Sequence, residues 1–580
     1  MTDTERGRDE EAPLAIARLI IGVVQGYGLW ALFELGKDNN WPDKHPAVFG
    51  ALLLLVLATP PVLLSALGVL KARSLVLWGL IAAGMAAAIG GYQGYQLLFD
   101  NERFPAVPVV LAVGGVWFIA HSLRLAAAHD RKAIARYPTY FDFAWKHGLQ
   151  LALAAAFTGV VWAVLGIGVL LFGVIGLKGF GEFVGKPWVA IPITTVAFAM
   201  AVHLTDVRVG LIRGVRTVAL TLLGWLTPLL AALALAFLAA LPFTGLDLLW
   251  KTGSATTTLM GAAVTLVILL NAAYQDGDRA TPLSRVLDIA IRLAGLLLTP
   301  LAGLAIYGLL LRINQHGLSV DRIIAAAGLV IISVYAVGYA IAAFLPGRPM
   351  RRLEPTNVAN AFLTIAVVLA LLSPLANPVR LSVDSQVSRL KAGKVKAGEF
   401  DFAYLRFETG RVGMDALKGL AKEKGEVGEK ARAMLARENR YEPPEPTPLS
   451  ATITVYPKGE ALPPDFLSQP DGFSVRSCTD PDDKCDAFLV DLNGDGRQEI
   501  ILGPPQTDPA FVFALDAKGA WGWIGSMDLS PCNQDIRPGL RQGKLSTVAP
   551  PWPDLMVNGV RAALLPDASC ERPDPPSPAP

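Results

Sequence analysis

Asp491-Leu-Asn493-Gly-Asp495-Gly496-Arg-Gln-Glu499 is the stretch of this 580-residue chain whose residue types and spacing could hold an ion. Oxygen ligands at alternate positions around a glycine-enabled turn suit Ca²⁺, which takes carboxylate and carbonyl oxygens in flexible geometry. The EF-hand spacing fails, because its twelfth position is Leu502. The same residues also make a hairpin turn held by Asp and Asn side chains, with no cation needed. Both readings stand at this point: a calcium site of Asp491, Asn493, Asp495 and Glu499, or a self-bonded turn.

Four cysteines follow a second chemistry. Cys478, Cys485, Cys532 and Cys570 all lie in the last fifth of the chain, and the apolar remainder has none. An even count confined to one soluble region implies disulfides and an oxidising compartment. Of three pairings, Cys478–Cys485 with Cys532–Cys570 is expected because it closes the shortest loop.

A third set is charged residues inside apolar runs, which mark functional or structural pressure in lipid. Arg18 lies about a turn inside the first run. Arg285, Asp288 and Arg292 are spaced to pair with one another near the start of the ninth. Pro60, Pro228 and Pro300, each preceded by Thr, interrupt three runs. A helix proline frees a carbonyl that must find another partner, so these positions read as kinks or as walls of a cavity. No run carries the chain of mid-membrane acids expected of a proton-coupled transporter. The chain has no phosphate loop and no H-E-x-x-H helix, and residues 445–580 contain no histidine. A Ser-His-Asp triad or a His-ligated zinc built wholly within that part is excluded. The sequence therefore assigns no catalytic residue, and an enzyme is not the favoured reading.

These residues must be held by helices that live in lipid. Spans need roughly 20 apolar residues. Runs near 13–35, 47–70, 74–99, 105–126, 148–176, 188–204, 216–241, 256–275, 284–311, 321–345 and 357–375 give eleven. The first has no small-residue cleavage site, so it reads as a retained helix. Residues 1–379 carry 27 Lys+Arg against 20 Asp+Glu, and residues 380–580 carry 24 against 29. That balance offers no clustered basic face for nucleic acid. With the N-terminus inside, cytoplasmic segments hold 17 Lys+Arg and the opposite ones 8. The positive-inside bias, with an odd number of crossings, puts the cysteine-bearing end outside. Residues 127–147, where aromatic and basic residues alternate, are expected to lie along the cytoplasmic interface.

The expected architecture is thus an α-helical polytopic membrane domain (1–379), an extracytoplasmic segment of three or four short helices (380–440) and a proline-rich linker (441–450). A small β-rich domain (451–570) and a disordered tail (571–580) follow. ATITVYP, AFLVDL, EIILG, FVFALD and WGWIGSM read as its strands.

Several stretches together resemble a bacterial family of multispanning membrane proteins, domain of unknown function 4153. They are Tyr140-Phe-Asp-Phe-Ala-Trp145-Lys with the apolar run after it, PFTGLDLLWKTG (242–253), NAAYQDG (271–277) and LTPLAGLAIYGLLLRINQHGLSVDR (298–322). LSVDSQVSRLKAG and FDFAYLRFETGRVGMDAL, within 381–417, complete the set. The resemblance spans roughly residues 10–420 and implies a protein of the bacterial cytoplasmic membrane; it transfers no catalytic residue. The Asp491 loop is similar to strand–loop–strand units of integrin-like propeller repeats, which come in arrays, whereas one copy is present here. The expected partners are the lipid bilayer and envelope proteins or lipids. The leading expectation is an envelope protein presenting its external domain for interaction or sensing. The alternatives are a transporter with a path between kinked helices and a lipid-linked group transferase using Asp38, Asp43 or Asp100.

Overall fold

The computed structural model describes residues 3–37, 45–97, 107–207, 209–246, 249–250, 253–277, 284–344, 350–437, 440, 453–467, 478, 485–503, 509–516, 518–531, 534–543, 545–547, 555–557 and 560–562. Among them, eleven helices are long and apolar enough to cross a membrane. In chain order these are α1 (Asp3–Leu35), α2 (Pro46–Ala66), α3 (Ala72–Gln96), α4 (Val107–Asp130) and α5 (Tyr137–Val174), then, after the short α6 (Gly179–Val184), α7 (Pro187–Val207), α8 (Val209–Thr244), α9 (Ala255–Tyr274), α10 (Arg285–His316), α11 (Val320–Phe344) and α12 (Leu353–Leu371). The chain is a multi-pass membrane protein. It clusters into two units, Met1–Leu435 and Ala436–Pro580.

Lipid supplies no hydrophobic drive between helices, so close approach depends on small residues. Gly22 and Gly26 of α1 lie against Val196 and Pro192 of α7, where a Cβ would meet backbone atoms at 3.2 and 2.5 Å. Gly90 and Gly94 of α3 face the Gly50 and Pro46 carbonyls of α2 even more closely. The largest apolar core joins α8–α11 to the start of α5, with Leu266, Leu270, Ala294, Leu298 and Tyr339 at its centre.

The segment 127–147 corrects the interfacial expectation. α4 runs on to Asp130 and α5 begins at Tyr137, so the aromatic residues occupy the first turns of a spanning helix. Tyr137, Tyr140 and Phe141 are buried in the bundle. The Asp130 carboxylate accepts the Arg136 N–H (2.9 Å) and the Thr139 hydroxyl (3.1 Å), which secures the start of α5. Helical spacing of apolar residues outweighs local charge density here.

Four short helices follow the last span: α13 (Pro378–Lys391), α14 (Phe402–Phe407), α15 (Gly410–Leu420) and α16 (Glu426–Ala436). Asn377 caps α13 through the Arg380 N–H at 3.0 Å, with Pro378 in the first turn. They share a core of Val383, Leu390, Phe402, Leu405, Leu417 and Leu420. These helices cap one face of the bundle: Arg411 Nε donates to the Tyr95 carbonyl (2.6 Å), and Asn377 Nδ2 to the Tyr92 hydroxyl (2.9 Å).

The second unit holds a five-stranded sheet in the order β1 (Ile453–Tyr456), β2 (Cys485–Val490), β3 (Glu499–Gly503), β4 (Ala510–Leu515), β5 (Trp521–Met527). β1 pairs parallel to β2 and the other neighbours are antiparallel. β2 and β3 are buried on both faces, under Phe466 and Trp521 on one side and Leu529 and Tyr456 on the other. Arg541 ties the β2 residue Asp486 to a neighbouring helical turn (3.0 Å), and that hydrogen bond raises the guanidinium's affinity for its proton.

Candidate functional site

At the capped face two hollows of about 860 and 470 Å³ adjoin, sharing Gln315 and His316 as lining residues. Their walls come from the end of α10, the start of α11, the first turn of α9 and one side of α13. The larger hollow presents Arg312, Arg322, His316 and Trp250; the smaller presents Arg389, Lys394, Glu399 and Asp401.

Local structure explains how these groups are held. α10 ends at His316 and leaves its last carbonyls without intrahelical donors. α13 supplies the donors from Ser382, Gln386 and Arg389, a set at positions one turn apart on one helix face. Arg389 Nη2 donates to the Gln315 carbonyl (2.8 Å), and Gln386 Nε2 to the His316 (3.1 Å) and Leu318 (2.8 Å) carbonyls. Ser385 Oγ accepts the Leu318 N–H at 3.1 Å. Gly317 is required at the turn: its φ is +75°, and a Cβ there would lie 2.5 Å from Arg389 Cδ.

Arg312 and Arg322 use one edge on backbone carbonyls, of Trp250 (3.3 Å) and Gly317 (2.9 Å). Among the described residues, no carboxylate lies within 4.0 Å of the guanidinium of Arg312, Arg322 or Arg389, although Asp321 stands on the same wall. The first turn of α9, whose Ser254 makes no side-chain cap, adds the partial positive charge of uncapped N–H groups. The hollow therefore suits an anion, and Trp250 at its edge suits a ligand with an apolar body.

At the opposite face two polar clusters form, one of them around Arg18. Asn271 and Asn357 bond each other (2.6 Å) and enclose the Tyr339 and Tyr137 hydroxyls, joining α9, α12, α11 and α5. The second cluster centres on Arg18, which is 1% exposed. Its guanidinium donates to the Leu64 and Leu67 carbonyls (both 3.1 Å), to His203 Nδ1 (3.1 Å) and to Asp206 (2.7 Å), while Lys146 takes the other Asp206 oxygen (2.7 Å). Asp206, His147 and Gln150 were legible only as polar residues at span ends.

The remaining candidates fall apart spatially. Asp288 pairs with Arg292 (3.3 Å), which also reaches the Ala343 carbonyl (3.2 Å), while Arg285 is exposed. Pro60, Pro228 and Pro300 lie within helices that continue past them. Thr227 and Thr299, ahead of two of these prolines, donate across to the Leu269 (3.0 Å) and Ala336 (3.3 Å) carbonyls of neighbouring helices. At the third, Gln25 of α1 reaches the Leu57 carbonyl (3.3 Å) that Pro61 leaves free. Pro61 lines a hollow, whereas Pro60, Pro228 and Pro300 line none of those described here.

Cys478 and Cys485 form a disulfide. Cys532 and Cys570 lie outside the described residues. In the Asp491 loop, the two carboxylate oxygens of Asp491 accept the Gly494 (2.7 Å) and Gly496 (3.0 Å) N–H groups. Asn493 accepts from Asp495 (2.8 Å), and Glu499 from Leu492 (2.7 Å). Among the described residues no cluster of three metal-ligating side chains occurs. The turn is self-bonded, so Asp491→Ala should lower the tail domain's stability by about 1–2 kcal/mol with or without calcium. Calorimetry of the full-length protein checks this; a calcium-dependent rise in its melting temperature would instead identify a cation site.

Four of the six stretches that carry the family resemblance, around Trp250, Arg312–Arg322, Arg389 and Asp401, line the adjoining hollows. The other two, around Tyr140–Trp145 and Asn271, meet at a hollow of about 270 Å³ beside the asparagine cluster. A family model described as Domain of unknown function (DUF4153) matches residues 38–423. No curated protein and no solved structure matches the chain. The β-sheet unit lies beyond the matched region, and the membrane part, with its helical cap, belongs to the DUF4153 family.

Proposed function

We propose that the protein is a bacterial cytoplasmic-membrane receptor that binds an anionic, phosphate-bearing ligand at its periplasmic face and presents the cysteine-bearing domain there for envelope interaction. The observation that carries this reading is the pair Arg312 and Arg322, half-buried around one hollow with no carboxylate within 4.0 Å among the described residues. Guanidinium forks match phosphate oxygens, and burying them unpaired is costly unless a ligand shares the site. The periplasmic assignment is supported by the Lys and Arg bias between loops and by the disulfide.

Transport has less support, because two of the three kinked helices place their prolines at none of the described hollows. Transfer to a lipid-linked acceptor would rest on Asp38, Asp43 and Asp100, which lie outside the described residues. The test is native mass spectrometry of protein released from nanodiscs containing acidic phospholipid. Retained phospholipid should fall about tenfold or more in Arg312→Ala/Arg322→Ala, since each charge-assisted contact is worth roughly 1.5–3 kcal/mol. Equal retention in the double variant and the wild type would remove the proposal.

A further inference from the structure

A separate hollow of about 260 Å³ lies between α2, α4, α5 and α7, in the half of the bundle away from the arginine site. Its walls are almost wholly apolar, with Leu54, Val113, Trp117 and Phe198 among them. Gly114 and Leu151, which also line it, are exposed on the lipid-facing surface of their helices, so the hollow opens toward the bilayer.

One end is polar. His147 and Gln150, three residues apart on α5, are 7% and 4% exposed and both line the hollow. Gln150 Nε2 donates to the Val202 carbonyl (3.0 Å), which fixes the amide and leaves its oxygen unclaimed by any described residue. Ser122 Oγ bonds His147 Nδ1 (3.1 Å). Either group can donate in this bond; we assign the hydroxyl as the donor, which places the imidazole proton on Nε2. His147 Nε2 has no described hydrogen-bond partner either. Neighbouring His121 is already engaged by Trp78 (3.1 Å) and Ser65 (2.8 Å). The end of the hollow thus offers one donor and one acceptor, side by side, in apolar surroundings where unmet polar groups are costly.

From this geometry we infer that the hollow is a binding site for a single-chain amphiphile with a neutral hydroxyl head. The head gives a hydrogen bond to Gln150 Oε1 and takes one from His147 Nε2, and the chain lies against Trp117 and leaves toward lipid between Gly114 and Leu151. A hydroxyl satisfies both groups at once, whereas a plain alkane satisfies neither. This inference is independent of the arginine site.

Full-length protein in lipid nanodiscs, titrated with octanol brominated at its terminal carbon, tests it by tryptophan quenching. The part attributable to Trp117 is isolated by subtracting a Trp117→Phe variant. Saturable quenching is expected, with bromo-octane about tenfold weaker and Gln150→Leu and His147→Leu weakened by about the same factor. Gly114→Phe should abolish saturation; a Cβ at that position meets nothing within 4 Å, and a melting temperature equal to the wild type's checks that the fold is kept. Quenching that rises linearly, is unchanged by Gly114→Phe, or is equal for bromo-octane would overturn the assignment. Should Gln150→Leu fail to fold, Gly114→Phe still decides the outcome.

Discussion

Asp206→Ala should destabilise the membrane unit by about 3–5 kcal/mol, the range for removing one partner of a buried ion pair. Two cations converge on this carboxylate, Arg18 and Lys146, both at 2.7 Å. Arg18 cannot turn toward water: it is 1% exposed, and its other hydrogen bonds hold the carbonyls that end α2. Asp206 itself is 22% exposed, so part of the loss on the Lys146 side is screened. Asp206→Asn should lie between the wild type and Asp206→Ala, because it keeps an acceptor but not the charge. Arg18→Met/Asp206→Leu should recover much of the loss, since well-packed apolar residues often replace a buried pair without cost. Thermal melts in a single detergent, arranged as a double-mutant cycle, check these values. Additive losses from the two single variants would mean that the residues act separately.

The arginine at this centre was legible from position alone, because a charge one turn inside an apolar run needs a partner. Its partner was not. Asp206 follows His203 at the end of a span 185 or more residues away, and nothing local distinguishes it from a loop acid. The same limit hid the asparagine cluster, since Asn271 and Asn357 come from helices far apart in the chain and only packing brings them together. Membrane spans were legible because lipid imposes one rule on every residue of a run. The sheet strands were legible from alternation and turn residues, and β1–β5 fall on the five expected stretches. The segment 127–147 misled because its charges were weighed singly. Asp142 and Lys146 are neutralised by Arg216 (2.6 Å) and Asp206 (2.7 Å) once the helix is in place. The basic hollow was foreseeable only in part. Its arginines stood in the sequence as external-loop charges, but the recess around them depends on α13 closing the end of α10.

A sharper test of the packing comes from the three glycines of Gly90-Gly91-Tyr92-Gln93-Gly94, of which two should be intolerant of a single methyl group and the third indifferent. A Cβ on Gly90 or Gly94 would lie 2.1 Å from the Gly50 or Pro46 carbonyl oxygen of α2, and both contacts are with backbone, which cannot rotate away. A Cβ on Gly91 would meet the Ala47 oxygen at 3.5 Å and the Ala51 methyl at 3.7 Å, ordinary contact distances. Gly90→Ala and Gly94→Ala must therefore push α2 and α3 apart, and each should cost about 1–3 kcal/mol, the range for overpacking. Gly91→Ala should be neutral or slightly stabilising, because alanine is the better helix former by about 1 kcal/mol. The paired helices carry no charge at this seam, so the effect should not change with salt. Melting temperatures of the three variants in the same detergent decide the matter, and a Gly91 variant as damaged as the other two would show that these helices meet along a different face.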